Sequence, residues 1–437
     1  MKKSFKYILA IVLCLCFVLT GCSSKLDMPS GAVESNGGSV VMVGNYVYYA
    51  NTYVDYSSLS GNANTDKTTK QNSLYRVKTN DYGFTTRDED DFIENIEKVK
   101  SKIAGFNNSN MFIVGDYLYF TSPNTHKDKK GEDLFNLTTL FRIKLDGTEF
   151  KEILTTKTTQ GKFFLVTDDN PYLLIFDNEE ISKLEIKTKL SSAKVLVKNV
   201  LDAVFPKNYS TLDYVYYTSD ISESDKTAGL SGNKLNRLDL KTGNTQNIVK
   251  PDKETITLVT YEFGQLYYKK LDTTTNVAYY YSNTMQSTFE GGEKKLTVVG
   301  ETSGSDDEVS GFTPINKDNY VFKYNSQLRL NMESNALVSE DATIEVIYGD
   351  YVYYSTSSGI YRISYKDKNV QTVAEKENIQ QGAIEIAGEY VYFYAKTANN
   401  STDTYYCHRA NNKVIEDGRT RVECIAEVLA DDIEENE

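Results

Sequence analysis

The sequence predicts an all-β fold, a single β-propeller built from four-stranded blades, and two recurring phrases predict it. The first phrase is Gly, then Asn, Asp or Glu, then Tyr, an aliphatic residue, Tyr and an aromatic residue. It stands at residues 44–49, 115–120, 349–354 and 388–393. The second is an apolar residue, a variable residue, Arg and an aliphatic residue, at residues 74–77, 140–143, 235–238 and 360–363. Recurrence at intervals of tens of residues indicates one supersecondary unit copied along the chain.

Each unit has the pattern of four antiparallel strands. A short apolar strand such as residues 40–43 comes first, and the Gly-containing pair makes a tight turn into the Tyr-rich strand. In that strand, alternation places Tyr46 and Tyr48 on one face and Val47 on the other. The Arg-containing strand follows, and turn signals such as residues 145–148 lead into a fourth strand. Four antiparallel strands per unit are the composition of a propeller blade.

The chain contains eight such units. Weaker copies of the Tyr phrase fill the gaps between the clear ones, and the central apolar positions are residues 47, 118, 173, 215, 266, 321, 352 and 391. Their mean spacing is about 49 residues, close to the periods of kelch and WD40 blades. The copies at 173 and 321 are the most degenerate, so seven blades are the alternative. A run of β-sandwich domains would not require both phrases in the same order in every unit.

The N-terminus has the layout of a secretory signal peptide. Three lysines lie within the first six residues, and an almost unbroken apolar run follows from residue 8 to residue 19. The run is short for a membrane span and ends at Leu-Thr-Gly-Cys, residues 19–22. This tetrapeptide resembles the lipobox of bacterial lipoproteins. The resemblance implies cleavage after Gly21 and a diacylglycerol group on Cys22, which would anchor an extracytoplasmic protein to the cell membrane, since two acyl chains suffice for stable binding.

These features divide the chain into a signal peptide at residues 1–21, a flexible tether at 22–38, the propeller at 39–430 and an acidic tail at 431–437. The tether is polar, contains Gly and shows no period, which is typical of a flexible spacer. Loss of the signal peptide removes three lysines and no acid, so the formal charge falls from −13 to −16. Such acidity argues against nucleic acid or an anionic membrane surface as the partner, since both require basic patches.

Two cysteines remain after the signal peptide and Cys22 are set aside. They are Cys407 and Cys424, an even pair in a compartment where disulfides persist. We predict a disulfide between them. The alternative is two buried free thiols that pack as small apolar residues.

The wording of the two phrases resembles the YWTD-type propeller repeats, with Tyr where that family has Trp. It is most similar to uncharacterised bacterial propellers whose blades contain Gly-Asp-Tyr-Val-Tyr-Tyr followed by Leu-Tyr-Arg-Ile. The likeness covers nearly all of residues 39–418. It implies the fold and a family without a settled activity, and a fold by itself does not define a function.

A binding surface is predicted where long loops meet. The connections between the second and third strands are long in the first, second and fourth units, at residues 52–72, 121–138 and 218–233. In a propeller these connections emerge on one face, and binding residues concentrate in loops set on a rigid scaffold. Tyr53, Tyr56 and His126 in these loops are our candidate contact residues. Most of the 34 tyrosines, by contrast, lie inside the repeated phrase and are expected to pack between blades.

Catalytic and metal-binding patterns are weak in this sequence. The two histidines, His126 and His408, have no companion at metal-ligand spacing, and His408 beside Cys407 is a weak candidate pair. We predict no enzyme activity and no cofactor. The acidic runs at residues 88–91, 306–308 and 431–437 lack the Gly-punctuated spacing of a calcium loop, so calcium has no support.

The sequence therefore predicts a membrane-anchored propeller that acts as a binding or scaffolding module. The expected partner besides the membrane is a protein, an envelope polymer or a saccharide. Two alternatives stay open. One is a carbohydrate hydrolase or lyase that uses carboxylates in the propeller funnel, and the other is a purely structural member of an envelope complex.

Overall fold

The computed structural model of the chain is a ring of eight antiparallel sheets. It describes residues 25–53, 72–80, 85–87, 90–93, 95–105, 111–123, 137–159, 161–167, 169–187, 192–205, 212–249, 252–275, 277–284, 292–296, 309–324, 326–331, 337–338, 342–397, 404–412 and 422–428.

Among the described residues, the regular secondary structure is almost entirely strand. In chain order the first sixteen strands are β1 (Val33–Glu34), β2 (Val40–Val43), β3 (Tyr46–Ala50), β4 (Thr52–Tyr53), β5 (Ser73–Lys78), β6 (Thr85–Arg87), β7 (Asp90–Phe92), β8 (Glu97–Ile103), β9 (Met111–Val114), β10 (Tyr117–Pro123), β11 (Thr138–Lys144), β12 (Lys151–Thr155), β13 (Lys162–Val166), β14 (Tyr172–Asp177), β15 (Glu180–Glu185) and β16 (Lys194–Lys198).

The remaining elements are β17 (Asp202–Val204), β18 (Tyr214–Asp220), the short helix α1 (Glu223–Thr227), β19 (Asn233–Asp239), β20 (Thr245–Val249), β21 (Glu254–Glu262), β22 (Gln265–Asp272), β23 (Val277–Asn283), β24 (Glu293–Leu296), β25 (Val309–Pro314), β26 (Tyr320–Tyr324), β27 (Gln327–Leu330), β28 (Thr343–Tyr348), β29 (Tyr351–Thr356), β30 (Gly359–Ser364), β31 (Val370–Glu375), β32 (Glu385–Ala387), β33 (Tyr390–Ala395), β34 (Tyr405–Asn411) and β35 (Val422–Cys424).

Eight blades result, and each is formed by successive strands of the chain, except that β4, β6 and β7, which lie within blade 1 in sequence, pair into the sheet of blade 8. Blade 1 is β2-β3-β5-β8, and β9–β12, β13–β16, β17–β20, β21–β24, β25–β27, β28–β31 and β32–β35 form blades 2 to 8. In blade 6 the described part of the outer edge is a single bridge between Leu328 and Val338. The predicted eight-bladed propeller is confirmed, including the two degenerate units.

The eight central positions of the Tyr phrase all lie on second strands. Their side chains have no exposed area, and they are Val47, Leu118, Leu173, Val215, Leu266, Val321, Val352 and Val391. The phrase glycines at 44, 115, 349 and 388 all have φ between 56° and 59°, in the left-handed region that glycine adopts at low cost. The glycine and the residue that follows it thus form the hairpin turn that the sequence predicts.

The core of the molecule lies between the blades. Eight clusters of buried apolar side chains each join two neighbouring blades, from blades 1 and 2 around to blades 8 and 1. The largest fully buried side chains include ten tyrosines, most of them from the repeated phrase. Because one face of each sheet packs on the next blade, the tyrosines pack between blades, as the sequence predicts.

A repeated contact links the two phrases within a blade. The third-strand arginine lies directly opposite the second tyrosine of the phrase, as Arg76 lies opposite Tyr48. Its guanidinium carbon lies 4.3–4.7 Å from the ring centre of the first tyrosine in blades 1, 2, 4, 7 and 8. Such cation–π contacts are each worth about 0.5–2 kcal/mol, depending on how far they are desolvated.

The same arginine also reaches the next blade. Arg76 Nη1 donates to Leu145 O of blade 2 at 3.2 Å and to the Tyr48 hydroxyl, which itself donates to Leu145 O at 2.7 Å. Arg362 of blade 7 makes the matching contact with Asn412 O of blade 8 at 2.9 Å. Burial raises the pKa of Tyr48 to about 12, against the opposing effect of Arg76, so this hydroxyl stays protonated at neutral pH. We call this arrangement of arginine, two tyrosines and a carbonyl of the next blade the Arg–Tyr latch.

Blade 8 closes the ring onto blade 1 through its own latch. Arg409 Nη1 donates to Lys78 O at 3.3 Å, and Arg409 Nε lies 2.7 Å from a Glu423 carboxylate oxygen in a buried ion pair. Strand β4 of blade 1 pairs with β34, and β7 pairs in parallel with β35. Asn51 and the backbone of Glu427 exchange two hydrogen bonds, of 2.8 and 2.9 Å. The first and last blades are therefore joined to each other by strand pairing, hydrogen bonds and a buried ion pair. We call this junction of blades 8 and 1 the seam.

Residues 25–38 of the predicted tether are not a free spacer in the structure. This segment lies against the propeller, and β1 adds to the inner edge of blade 1 by pairing with β2. Asn36 exchanges two hydrogen bonds with Ile113 of blade 2, and Ser35 donates to Ile386 O of blade 8. The segment therefore lines the central channel between blades 8, 1 and 2. Residues 1–24, with Cys22 and the signal peptide, lie outside the described part.

The predicted disulfide is wrong, because Cys407 and Cys424 are free, buried thiols. Cys424 lies directly opposite His408 in the β34–β35 ladder, so those two side chains share a face of the sheet. Cys407 precedes His408 and points to the other face, into the cluster with blade 1. The two sulfurs are on opposite sides of blade 8.

We expect neither thiol to react in the native protein. Burial raises the pKa of the Cys407 thiol well above its usual value, so the reactive thiolate is scarce. A chain without residues 1–21 that carries Cys22→Ala retains only these two cysteines. Treated with a thiol label in the native state it should remain unlabelled with or without a reductant, and after unfolding in urea it should take up two labels in both cases. Label uptake that requires a reductant after unfolding would contradict the free thiols.

Removal of the Arg409 guanidinium should destabilise the ring strongly. Arg409→Ala leaves the Glu423 carboxylate buried without its partner, which costs about 3–5 kcal/mol in the free energy of unfolding. The double variant Arg409→Met, Glu423→Leu should lose less than the single variant. Arg237→Ala serves as the control, because Arg237 is half-buried and its contact with Tyr214 is worth about 1 kcal/mol. Urea unfolding at pH 7 measures all three, and equal losses for Arg409→Ala and Arg237→Ala would contradict the latch at the seam.

Candidate binding face

The ring has two faces with different chain connections. The turn face carries the hairpins between first and second strands and the turns between third and fourth strands. The loop face carries the connections between second and third strands and the links between blades. This division follows from the strand order, because successive antiparallel strands reverse direction at each connection.

The three long connections leave and re-enter on the loop face. The flanking strands stay paired up to Ala50 and Leu74 in blade 1, and up to Asp220 and Asn233 in blade 4. In blade 2 the last pair is Pro123 with Thr138. The predicted position of these loops on one face is thus confirmed for their ends. Residues 54–71 and 124–136 themselves lie outside the described part.

The loop of blade 4 contains the helix α1. Ser222 and Asp225 form a capping box at its start, in which each side chain accepts from the other's backbone N–H. Hydrogen bonds from Ser222, and then Lys234 at 2.9 Å, lower the pKa of Asp225 to about 2. This loop is therefore folded and charged at its surface.

The predicted contact residues are distributed as follows. Tyr53 lies in β4, half-buried, with its ring centre 5.9 Å from that of Tyr394 in the seam between blades 8 and 1. Tyr56 and His126 lie outside the described residues. A binding role for all three stays a prediction.

His408 is a core residue. It has no exposed area, its ring stacks on Phe393 at 5.7 Å, and its Nδ1 lies 2.8 Å from Tyr406 O. Since Cys407 points to the opposite face of the sheet, the weak Cys/His candidate pair is not formed.

A charged cluster towards the loop face, between blades 4 and 5, went unrecognised in the sequence. Lys270 Nζ lies 2.8 Å from Glu293 Oε1 and 3.5 Å from Glu254 Oε2. It also lies 4.7 Å from the ring centre of Tyr281, and the Tyr268 hydroxyl donates to Glu293. The lysine side chain is 11% exposed, whereas Glu254 is 37% exposed. We call these residues the Lys270 cluster. In the sequence, the feature that indicates it is the Tyr-Tyr-Lys-Lys run at residues 267–270, which places charged residues near the end of a strand.

The electrostatics of this cluster keep the lysine charged. Burial opposes the positive charge, but Glu293 and then Glu254 outweigh it and raise the pKa of Lys270. Burial and the Glu293 contact likewise raise the pKa of Tyr268. Neither group is therefore poised as a nucleophile or a general base at neutral pH, since both need a depressed pKa for that role. The cluster instead offers a fixed cation and a partly exposed carboxylate beside an aromatic ring.

Two carboxylates at the inner edge of the ring serve as contacts between blades. Glu34 of β1 accepts from the backbone N–H of Gly388 at 2.9 Å. Glu345 of β28 accepts from the N–H of Gly382 at 2.9 Å and from the Ser355 hydroxyl. Burial raises the pKa of Glu345. These two acids stabilise the junctions of blade 8 with blades 1 and 7.

No group of three or more metal-ligating side chains is found in the described part of the chain. Residues 88–89, 306–308 and 431–437, which include most of the acidic runs, lie outside that part. Among the described helices none is long and apolar enough to cross a membrane.

Comparison with known proteins finds matches among solved structures but not among protein families or curated proteins. No protein-family model matches the sequence, and no curated protein matches it. Among solved structures, the S511A variant of a puromycin hydrolase is similar with a TM-score of 0.48 and 10% identity over 73% of this chain and 54% of that one. A prolyl endopeptidase matches with a TM-score of 0.46 and 9% identity over 88% and 55%. TolB from Acinetobacter baumannii matches with a TM-score of 0.31 and 11% identity over 66% and 60%.

The chain thus spans about half the length of the puromycin hydrolase that it matches.

We expect Lys270→Met to reduce stability in a pH-dependent way. Loss of the cation leaves two nearby carboxylates that repel, at a cost of about 1–3 kcal/mol at pH 7, between the values for exposed and buried pairs. Since the pKa of Lys270 is raised, its contribution is complete below the ordinary lysine pKa of about 10.4 and is lost as the pH rises through the higher folded value.

The deficit of Lys270→Met relative to the native chain should therefore shrink as the pH rises above about 10.4, because the native lysine then loses the charge that the variant lacks. Lys269→Met is the matched control, on the opposite face of the strand, and should change the free energy of unfolding by about 0.5 kcal/mol or less. Urea unfolding between pH 7 and pH 11 measures both. A deficit that does not depend on pH would contradict this account of the cluster.

Proposed function

We propose that this protein is a lipid-anchored, extracytoplasmic binding or scaffolding module that contacts its partner through the loop face. One observation carries the proposal. The three long connections between second and third strands, in blades 1, 2 and 4, leave and return on the same face of the ring. Loops on a rigid scaffold are where recognition residues concentrate.

The lipid anchor is part of the proposal. The Leu-Thr-Gly-Cys tetrapeptide at residues 19–22, after a short apolar run, supports diacylglycerol on Cys22. Its resemblance to the lipobox also supports an extracytoplasmic location.

The chemistry of the loop face favours a polar macromolecular partner. The face carries α1 with its acidic first turn, and Lys270 and Glu254 of the Lys270 cluster lie at the loop-face ends of β22 and β21. The chain is acidic overall, with a formal charge of −13. A protein or a polar envelope polymer suits such a surface better than an anionic polymer does.

The hydrolase or lyase alternative has less support. Glycoside cleavage requires two carboxyl groups that flank the scissile bond and are free to reach the sugar. Glu34 and Glu345 at the inner edge of the ring accept hydrogen bonds from the backbone of blade 8 instead. These two carboxylates are therefore engaged in holding the ring together.

The proposal is tested by shortening the loops of the loop face. Residues 54–71 and 124–136 are each replaced by Ser-Ser, the turn that connects β29 to β30 in blade 7. The full chain and the shortened chain are then used to capture partners from solubilised envelopes of the native cell. Capture should fall about tenfold or more, because a few contacts dominate an interface.

A matched control shortens the turn face instead, by replacing residues 285–291 of blade 5 with Gly-Asn. This control should capture the partner as the full chain does. Circular dichroism and thermal unfolding verify that all three chains are folded. Equal capture by the loop-shortened chain, or a loss confined to the turn-face control, would contradict the proposal.

A further inference from the structure

The N-terminal segment is bound to the turn face from its first described residues. Leu26 N donates to Asp146 O at 3.1 Å, and Lys25 Nζ lies 3.5 Å from an Asp146 carboxylate oxygen. The Leu26 side chain packs against the cluster between blades 1 and 2. The carboxylate of Asp146 is nearly inaccessible, with 2% exposure, and Thr148 donates two hydrogen bonds to it.

The Arg–Tyr latch of blade 1 fixes the next residue. Arg76 Nη1 donates to Asp27 O at 2.6 Å, in addition to its contact with blade 2. Pro29 is buried against the same face. The N-terminal segment is therefore bound by the same arginine that joins blades 1 and 2.

The segment then crosses the first hairpin at close range. A Cβ atom on Gly31 would lie 2.6 Å from Gly44 Cα, so the two backbones touch and neither position accepts a side chain. Gly44 N donates to Ala32 O at 3.0 Å. From here β1 runs up the central channel to the contacts of Asn36 with blade 2. Contacts with the propeller thus fix the N-terminal segment along its course from the turn face to the central channel.

Covalent geometry places the lipid close to this seat. Leu26 follows Cys22 by four positions. An extended chain covers at most about 3.6 Å per position, so the Cys22 Cα lies within roughly 14 Å of the Leu26 Cα. A diacylglycerol group on Cys22 would bring the bilayer to the turn face beneath blades 1 and 2. A flexible tether over all of residues 22–38 would have imposed no such limit.

We propose that the propeller sits on the phospholipid bilayer with its turn face towards the lipid and its loop face away from it. Residues 25–38 form a fixed connection from the lipid on Cys22 to the central channel. The inference rests on the proposed lipid anchor, and it adds the orientation that presents the binding loops to the exterior.

The surface chemistry of the turn face fits a position next to phospholipid head groups. Five of its lysines pair with carboxylates, in Lys25–Asp146, Lys144–Glu149, Lys187–Glu185, Lys241–Asp213 and Lys366–Asp350. The face therefore presents charges of both signs, although the whole chain is acidic. Exposed apolar side chains also lie on its turns, among them Met28, Phe263 and Tyr348. Such groups are tolerated at a membrane interface.

Short-range quenching on vesicles tests the orientation. The lipidated full chain is reconstituted into phosphatidylcholine vesicles whose head groups carry a nitroxide quencher. A fluorophore is attached at Asp350→Cys on the turn face or at Ser357→Cys on the loop face of the same blade. Both positions are exposed, whereas Cys407 and Cys424 are buried. The faces stand about 20 Å apart, the length of a six-residue strand, so we expect roughly twofold or greater quenching at Asp350→Cys.

Two further variants separate the possible explanations. Ten Gly and Ser residues inserted between Ser24 and Lys25 should bring the quenching at the two positions close together, because the propeller is then free to rotate. A difference that persists unchanged would overturn the role of the fixed connection. Cys22→Ala should carry no diacylglycerol by mass spectrometry and should not bind the vesicles.

Failure of the orientation and failure of the anchor give different results. Equal quenching at both positions of the lipidated chain, or stronger quenching on the loop face, overturns the orientation and leaves the binding proposal intact. Absence of lipid on Cys22 in the chain purified from native membranes overturns both the anchor and the orientation.

Discussion

The contact between the third-strand arginine and the two tyrosines of the second strand is the interaction on which the ring depends. A guanidinium over one tyrosine ring and against the hydroxyl of the other is fixed in direction, and in blades 1 and 7 it points at a carbonyl of the next blade. In blade 8 the arginine alone reaches blade 1, where Arg409 donates to Lys78 O. The apolar clusters between blades supply most of the burial, but they are not directional. At the junctions of blades 1 and 2, 7 and 8, and 8 and 1, the latches add directional contacts between one sheet and the next.

The latches lie on one side of the ring. The latch carbonyls follow the third strands, so the latches lie towards the turn face. The N-terminal segment joins the same system through Arg76. The turn face also carries the long connection between β5 and β8 of blade 1, whose strands β6 and β7 extend the sheet of blade 8. On the loop face, insertions of different length are tolerated in blades 1, 2 and 4, away from the latches.

The propeller could be predicted from the sequence because the strand pattern, the turn residues and the spacing of the repeats all indicated the same fold. Central positions such as Leu173 and Val321 were assigned from degenerate phrases, and both are fully buried on second strands. The seat of residues 25–38 could not be predicted, since it consists of backbone contacts between glycines and of single side chains without a period. The disulfide failed for a different reason. The number of residues between Cys407 and Cys424 does not show to which face of the sheet each side chain points. A change of one residue in strand register turns a side chain to the opposite face.

The candidate site was predicted only in outline. The positions of the long connections followed from the strand order, and their ends are where the sequence places them. The Lys270 cluster was missed because Glu254 and Glu293 are separated from Lys270 in sequence and meet it only through strand pairing within blade 5. Charged residues at strand ends carry little information until the ladder that aligns them is known.

A double-mutant cycle on Tyr353 and Arg362 tests the central claim most directly, because this pair forms the latch between blades 7 and 8 away from the seam. Tyr353→Phe, Arg362→Ala and the double variant are compared with the native chain by urea unfolding. The latch predicts a coupling free energy of about 1 kcal/mol or more, since the tyrosine hydroxyl and the guanidinium bind each other and Asn412. Strictly additive losses would contradict it and would leave apolar packing as the sole determinant of the ring.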